Sequence, residues 1–293
     1  MSFTLVLNSA NAYGSQNNTF KYDFIQGNFN IPPDSEVMVA NAQIPYSFYN
    51  ITSAYDNNIL TLYFPTASAT YAKFTIPIPD GFYTTTSLNY YIQQFCISNG
   101  LYLINSTGQN VYYISIQYNS YQYGNQILAF AVPTSLPVGY TAPSNWIGYP
   151  TVSRTPYILI ASSNDPGSKI GTFLGFSTGS YPVSGTTTNY SKNSDITPVG
   201  STVNSIILRC SLVNNKVGSS MDILDSFAIA NTSFGANINY APSVNKWVKL
   251  SSGSFSNFML TICDQNLQMI NSLDNNILIT LLFRFGTTKL LKE

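Results

Sequence analysis

The chain has 293 residues, of which only 8% are charged; its formal net charge is zero and it contains no histidine. The absence of a basic patch argues against nucleic acid and anionic membranes as partners, and the absence of histidine removes the commonest general base. Because soluble surfaces normally carry about 25–35% charged residues, much of this surface is predicted to be covered by other subunits.

Alternating apolar and polar residues predict strands along most of the chain. The first two are expected at residues 3–7 and 20–25, and a third runs from Glu36 to Ile44 between a Pro-Pro breaker and Pro45. Further strands are predicted at residues 59–64, 72–78, 111–117, 126–132, 157–161, 202–212, 247–250, 258–264 and 276–285. Turn residues separate nearly all of them, which predicts an all-β sandwich.

One amphipathic helix interrupts this pattern between Thr85 and Asn99. Its apolar residues recur at helical spacing on one face, namely Leu88, Tyr91, Ile92, Phe95 and Cys96. One of the three residues 85–87 is expected to cap the start, and Asn99-Gly100 is typical of a helix end. A weaker helical turn is predicted at residues 165–173.

The central position of the helix suggests an insertion. Residues 54–175 are predicted to form a mixed, mainly β subdomain that carries the helix. Residues 1–53 and 176–293 then complete the β-sandwich on either side of it. The aperiodic stretches at 141–150 and 177–198 are expected to be long loops.

The cysteines and the N-terminus point to an intracellular origin. Cys96, Cys210 and Cys263 are far apart and form no C-x-x-C motif, so they are expected to be small buried side chains in a reducing compartment. The first residues lack the pattern of a signal peptide, and no apolar run reaches the ~18 residues of a membrane span. We therefore expect a protein that is not secreted by the usual route and does not span a membrane.

Little in the sequence indicates catalysis. A glycosidase could use two carboxylates, and the acidic residues nearest each other are Asp34 with Glu36, Asp222 with Asp225, and Asp264 with Asp274. Their settings are more typical of turns and strand edges. Clustered metal ligands and a phosphate loop with its lysine are missing from the sequence, so no catalytic residue, metal or cofactor is predicted.

The 22 tyrosines leave three interpretations open. They could stack on sugars, pack between subunits, or reflect the preference of strands for aromatic residues. The tyrosines that could serve in this way are Tyr13, Tyr112, Tyr113, Tyr118, Tyr121, Tyr123 and Tyr140. Tyr121 and Tyr123 are the candidates for surface contacts, and a carbohydrate-binding or host-attachment β-sandwich module is the alternative function.

Five short blocks occur in order between about residues 3 and 284. They are Ile44-Pro45-Tyr46-Ser47-Phe48-Tyr49-Asn50-Ile51, Ile78-Pro79-Asp80-Gly81-Phe82-Tyr83-Thr84, Leu174-Gly175-Phe176, Cys210-Ser211-Leu212-Val213-Asn214-Asn215 and Ile262-Cys263-Asp264-Gln265. This ensemble resembles the penton, or minor capsid, proteins of virophages and polinton-like viruses, in the tectivirus–adenovirus lineage. The motif residues expected to determine the fold are Ile44, Pro45, Tyr46, Asn50, Asp80, Gly81, Tyr83, Leu174, Gly175, Phe176, Asn214 and Asp264.

The resemblance implies a single jelly roll with an outward-facing inserted subdomain. It also implies homopentamers at the five-fold vertices of an icosahedral double-stranded DNA virus, in contact with a major capsid protein built as double jelly-roll trimers. The protein is then expected in the virion after synthesis in the host cytoplasm, without enzymatic activity. The tail at 287–293 lies beyond the resemblance and is expected to be a free end or an arm that docks on neighbours.

Overall fold

The computed structural model of the chain describes residues 2–15, 17–25, 27–67, 70–162, 165–167, 169–215 and 221–286. The predicted tail at 287–293 lies outside the described residues. Regular structure is mainly β, and only two α-helices occur in the described part of the chain. The predicted all-β class is therefore confirmed.

Each predicted strand is present, with 111–117 divided between two strands. The strands are β1 (Ser2–Leu7), β2 (Thr19–Asp23), β3 (Phe29–Ile31), β4 (Glu36–Pro45), β5 (Ile59–Pro65), β6 (Tyr71–Pro77), β7 (Tyr102–Ile104), β8 (Asn110–Tyr112), β9 (Ile114–Asn119), β10 (Gly124–Ala129), β11 (Tyr157–Ile160), β12 (Gly179–Tyr181), β13 (Tyr190–Asn193), β14 (Ser205–Cys210), β15 (Ile223–Ala228), β16 (Asn237–Tyr240), β17 (Val248–Lys249), β18 (Gly253–Phe255), β19 (Asn257–Cys263) and β20 (Leu278–Arg284). The helices are α1 (Thr85–Ser98) and α2 (Ile170–Leu174).

Eight of these strands pair as a jelly roll. β1 pairs with β20, β2 with β19, β4 with β16, and β14 with β15. Counted in chain order, the first strand thus pairs with the eighth, the second with the seventh, the third with the sixth and the fourth with the fifth. Pairing of β20 with β4 and of β19 with β14 joins these strand pairs into two antiparallel sheets, β1-β20-β4-β16 and β2-β19-β14-β15. The short strand β17 also pairs with the start of β4. This order is that of a jelly roll and confirms the predicted fold.

The jelly-roll core forms where alternate side chains of both sheets are buried. On β20 the buried residues are Ile279, Leu281 and Phe283, with partly exposed residues between them. β14 and β19 show the same alternation, as expected of strands with one buried face. The rings of Phe258 and Phe283, one from each sheet, meet edge to face with centroids 6.3 Å apart.

The second compact unit comprises residues 49–202 and is inserted between β4 and β14, the third and fourth jelly-roll strands. It contains a four-stranded sheet β12-β11-β5-β6, a three-stranded sheet β13-β10-β9 and the hairpin β7-β8. The apolar face of α1 is buried in its core through Leu88, Ile92 and Cys96. Ile116 on β9 also donates its backbone N–H to Asn89 Oδ1 of the helix, at 2.8 Å.

The unit boundaries differ from those predicted. The first unit is formed by residues 1–48 and 203–293, so residues 176–202 belong to the insertion and not to the jelly roll. The reason is strand pairing: β12 pairs with β11 and β13 with β10, both strands of the insertion. The same two strands correct the prediction of a loop at 177–198.

The helix ends also differ from the predicted ones. The cap of α1 is Thr84, one residue before the predicted candidates; its hydroxyl accepts a hydrogen bond from the Ser87 N–H at 3.1 Å. The Ser87 hydroxyl in turn accepts from the Thr84 N–H at 2.9 Å, which completes a capping box. The second helix spans only Ile170–Leu174, so the predicted helical turn at 165–173 begins too early.

Candidate functional site

Asn50 is a buried hydrogen-bonding centre at the start of the inserted unit. Its Nδ2 donates to the carbonyls of Tyr83 at 2.8 Å and Gly200 at 2.7 Å, while its Oδ1 accepts from the Tyr83 N–H at 2.7 Å. The Asn50 carbonyl accepts from Asn57 Nδ2 at 2.8 Å. A neutral amide suits this position because it both donates and accepts without the cost of burying a charge.

Asp80, Gly81 and Tyr83 lie next to this centre. Gly81 and Ile51 exchange backbone hydrogen bonds of 2.9 and 3.0 Å. Asp80 Oδ1 accepts from the Ser53 N–H at 2.9 Å. A Cβ atom on Gly81 would lie 2.8 Å from the Tyr83 ring, so the ring packs closely over this glycine. Partial burial also raises the pKa of the Tyr83 phenol. Two of the five sequence blocks therefore meet as one structural junction.

The Leu174-Gly175-Phe176 block ends α2. Leu174 and Phe176 are buried, and Gly175 has a φ of 84°, the left-handed conformation that favours glycine at a helix end. The Leu174 carbonyl accepts a hydrogen bond from Asn125 Nδ2 at 2.9 Å. A Cβ atom on Gly175 would lie 2.7 Å from the Ile196 carbonyl oxygen. Both conformation and space therefore require glycine at position 175.

Ile44, Pro45 and Tyr46 form the end of β4 and the residue after it. Ile44 and Pro45 are buried in the jelly roll and lie opposite residues of β16. The buried Tyr46 ring lies 4.7 Å from the Phe48 ring and 6.0 Å from the Phe234 ring. These side chains build the core of the first unit.

Asn214 and Asp264 lie at turns of the jelly roll. The Asn214 N–H donates to the Lys249 carbonyl at 3.0 Å. Asp264 Oδ1 accepts from the N–H groups of Asn266 and Gln268, both at 2.8 Å, in the turn that follows β19. These contacts shape the backbone of two loops.

The acidic residues are engaged in contacts within the chain. Of the 12 acidic residues, all but Glu293 lie in the described part of the chain, and each of these has at least one polar partner there. Asp222 makes an ion pair with Arg209 at 2.8 Å. The buried Asp225 binds Lys246 Nζ at 2.9 Å and the Tyr240 hydroxyl at 2.7 Å. One of the three carboxylate pairs predicted as glycosidase candidates, Asp222 with Asp225, thus takes part in two structural ion pairs.

Asp195 anchors the end of the inserted unit. Its carboxylate accepts from the Ser177 N–H and hydroxyl, both at 2.8 Å, and from the Tyr181 hydroxyl at 2.9 Å; Lys192 Nζ lies 3.5 Å away. Burial alone would raise the pKa of Asp195, but these hydrogen bonds and the nearby ammonium outweigh it and hold the pKa below its usual value.

The three cysteines are buried and unpaired, as predicted. Burial raises the pKa of the Cys96 and Cys210 thiols to about 12 and also raises that of Cys263. Such thiols are poor nucleophiles and poor metal ligands at neutral pH. Among the described residues, no cluster of three or more acidic, cysteine or histidine side chains could hold a metal ion.

Within the described ranges, neither α1 nor α2 is long and apolar enough to span a bilayer.

The solvent side of the sheet β1-β20-β4-β16 is almost free of charge. The outward positions between the buried ones form cross-strand rows, which we call the neutral face: Thr4, Val6, Leu278, Thr280, Leu282, Asn41, Gln43, Asn237 and Asn239. Among the described residues of this sheet face, charge occurs only in the end row, where Glu36 accepts from Arg284 Nε and also pairs with Lys249 of β17. Four strands thus present threonine, amide and aliphatic side chains to the outside.

The inserted unit carries a second candidate surface, which we call the aromatic cleft. It is a shallow cleft of about 340 Å³ beside the start of α1, lined by residues that include Phe82, Thr85, Thr86, Tyr118, Tyr123 and Asn125. None of its lining residues is charged. Tyr118 is 52% exposed and Tyr123 is 72% exposed, so both rings flank open space.

The structure separates the two predicted surface tyrosines. Both lie at the tip of the β9–β10 hairpin, and Tyr121 is 98% exposed. Only Tyr123 lines the aromatic cleft, together with Tyr118. Thr85 and Thr86 also line the cleft. The sequence did not predict this, because it indicated these residues only as possible helix caps.

The pairing order, the insertion and the neutral face define a single jelly-roll protein with a mixed unit between its third and fourth strands. No protein-family model matches the chain, and no curated protein matches it. Among solved structures, the chain is similar to the mavirus penton protein, with a TM-score of 0.43 and 11% identity, covering 97% of this chain and 99% of that one. It is also similar to a chain of the Sputnik virophage structure, with a TM-score of 0.38 and 12% identity, covering 97% of both chains.

Proposed function

We propose that this chain is a structural capsid protein that forms homopentamers at the five-fold vertices of a virophage-like double-stranded DNA virus. Its further partner is a major capsid protein of double jelly-roll trimers, and its location is the virion, after synthesis in the host cytoplasm. The inserted unit faces outward in this proposal. The chain acts by assembly and not by catalysis.

The neutral face is the observation that carries the proposal. The buried centre of a protein interface is depleted in charged residues, because an unpaired charge there is costly. Threonine and amide side chains such as Asn41 and Gln43 can instead pair with a neighbour through neutral hydrogen bonds. In a closed ring each subunit presents two different surfaces, one to each neighbour, and the neutral face is suited to be one of them.

The fold and the sequence blocks support the same function. Jelly rolls occur in viral capsids and in lectins, so the fold alone does not decide between assembly and ligand binding. The five sequence blocks resemble capsid vertex proteins, and the residues Asn50, Asp80, Gly81 and Tyr83 from two of these blocks form one junction. The internal ion pairs of Asp222 and Asp225 further disfavour a glycosidase.

Light scattering on the purified full chain tests the proposal. We expect a particle of five times the 32.2 kDa chain mass at micromolar concentration. The double variant Val6→Lys/Gln43→Lys places two charges on the neutral face, so it should shift the particle to monomer while its thermal unfolding stays cooperative.

Val138→Lys provides the matched control, because Val138 is fully exposed in the inserted unit. It adds the same kind of charge to a residue that does not belong to the neutral face and should leave the pentamer intact. A wild-type chain that stays monomeric at high concentration, also when mixed with major capsid trimers, would contradict the proposal.

A further inference from the structure

The aromatic cleft has features that subunit assembly does not explain. Tyr118 and Tyr123 project from the β9–β10 hairpin, and Phe82 lies on the opposite chain segment before α1. Aromatic rings with both an apolar body and a polar tip are usually covered in a folded domain or used for binding. Here Tyr118 and Tyr123 lie at the border of a cleft with a volume of about 340 Å³, which is within the range of small-ligand sites.

Three hydroxyl groups of the cleft are neutral and available to a ligand. The hydroxyls of Thr86, Tyr118 and Tyr123 make no hydrogen bond within the described part of the chain. The first N–H groups of α1, at Thr85 and Thr86, have no partner within a helix because of their position in its first turn. The cleft thus offers both donors and acceptors beside its rings, without a charged side chain.

The cleft is held in place by buried contacts underneath it. Asn125 is 3% exposed; its Oδ1 accepts from the Thr85 hydroxyl at 2.7 Å and its Nδ2 donates to the Leu174 carbonyl at 2.9 Å. The Asn125 N–H also donates to the Ser194 hydroxyl at 3.3 Å. Because this side chain links the hairpin, α1 and α2, the cleft is preorganised, which lowers the entropic cost of binding a ligand.

We propose that the aromatic cleft binds a neutral saccharide. The apolar C–H face of a pyranose ring packs on the Tyr123 or Tyr118 ring, while its hydroxyls exchange hydrogen bonds with Thr86 and the tyrosine hydroxyls. A phosphate-bearing ligand is disfavoured, because no lysine or arginine lines the cleft. The site belongs to the inserted unit and does not depend on pentamer formation.

The experiment uses the full chain on an array of neutral and sialylated glycans, followed by saturation-transfer NMR with the neutral glycans that score. Tyr123→Ala and Tyr118→Ala should each weaken binding by about tenfold, the change expected for the loss of one aromatic contact. Tyr121→Ala is the matched control, because this neighbouring tyrosine is exposed but does not line the cleft, and its binding should equal that of the wild type.

Three outcomes would overturn the proposal: no neutral glycan binds, binding persists in the Tyr118→Ala/Tyr123→Ala double variant, or only sialylated glycans bind. Tyr118→Ala and Tyr123→Ala change exposed side chains, so the melting temperatures of these variants should match that of the wild type. Light scattering on the same samples reports pentamer formation separately. A pentamer that binds no neutral glycan would therefore overturn the saccharide site alone, and a glycan-binding monomer would overturn the vertex function alone.

Discussion

Asn50 contributes to the fold at the scale of a single residue, because its buried amide links three separate segments. It joins the chain that follows β4 to Tyr83 before α1 and to Gly200 near the end of the inserted unit. An amide suits this position because it is neutral and can donate two hydrogen bonds and accept another at the same time. The sequence pointed to Asn50 only as a member of a block, since its partners lie far away along the chain.

Replacement of this residue gives a first test. Asn50→Ala would remove three hydrogen bonds from a buried side chain, two to Tyr83 and one to Gly200, so the free energy of unfolding should fall by about 2–4 kcal/mol. Urea denaturation followed by circular dichroism measures it. Within the described part of the chain, the exposed Asn110 side chain bonds only the Tyr112 hydroxyl, and Asn110→Ala should change stability by less than about 0.5 kcal/mol. Equal effects of the two variants would contradict the role of Asn50.

Asp195 gives a second test, through pH. Its pKa is below the usual value in the folded chain, so its contacts stabilise the fold above about pH 4 and are lost as the pH falls through the folded-state pKa. The melting temperature of the wild type should therefore exceed that of Asp195→Asn at pH 7, and this difference should shrink towards pH 3. In Asp165→Asn, which loses one exposed contact to Ser162, we expect little change at either pH. A difference for Asp195→Asn that stays constant or grows on acidification would refute this assignment.

At the scale of elements, periodic sequence patterns predicted the long helix and the long strands but not the short strands. The helical spacing of apolar residues from Leu88 to Cys96 predicted α1. The alternation of apolar and polar residues predicted β1 and β20. The three-residue strand β12 lies in a Gly- and Ser-rich segment, where a period of two cannot be recognised. Its pairing with β11 comes from tertiary structure, which is why the insertion ends at residue 202 and not at 175.

The end of α2 provides a third test. Gly175 and Gly185 both have a positive φ, 84° and 89°, but only Gly175 has neighbours where a Cβ atom would be added. Gly185→Ala should cost about 1 kcal/mol for its conformation, whereas Gly175→Ala should cost about 1–3 kcal/mol more because of the clash with the Ile196 carbonyl. Chemical denaturation of both variants measures the difference. Equal costs would show that the segment 194–198 moves away freely.

The aromatic cleft shows the limit of sequence analysis for a site. From the sequence, Tyr123 was grouped with its more exposed neighbour Tyr121 as a candidate for surface contacts. What separates them is the position of the helix start, since Thr85 meets Asn125 across 40 residues of chain. Such a contact can be recognised only after the hairpin and α1 are packed together.

At the scale of the whole molecule, the structure shows where the low charge content is concentrated. The jelly-roll strands leave one sheet with an outer face of threonine, amide and aliphatic side chains, and the only charges there are paired in its end row. The composition alone predicted covered surfaces but could not locate them, because outward positions of four strands from both ends of the chain are combined in one sheet. Only the pairing order shows that these positions are neighbours.

Cryo-electron microscopy of the purified full chain tests the central proposal most directly. We expect five-fold symmetric rings in which the neutral face, including Val6 and Gln43, is buried against the adjacent subunit and the inserted unit lies on the outer side. Rings of another symmetry, separate monomers, or a five-fold ring in which the neutral face is open to solvent would contradict it.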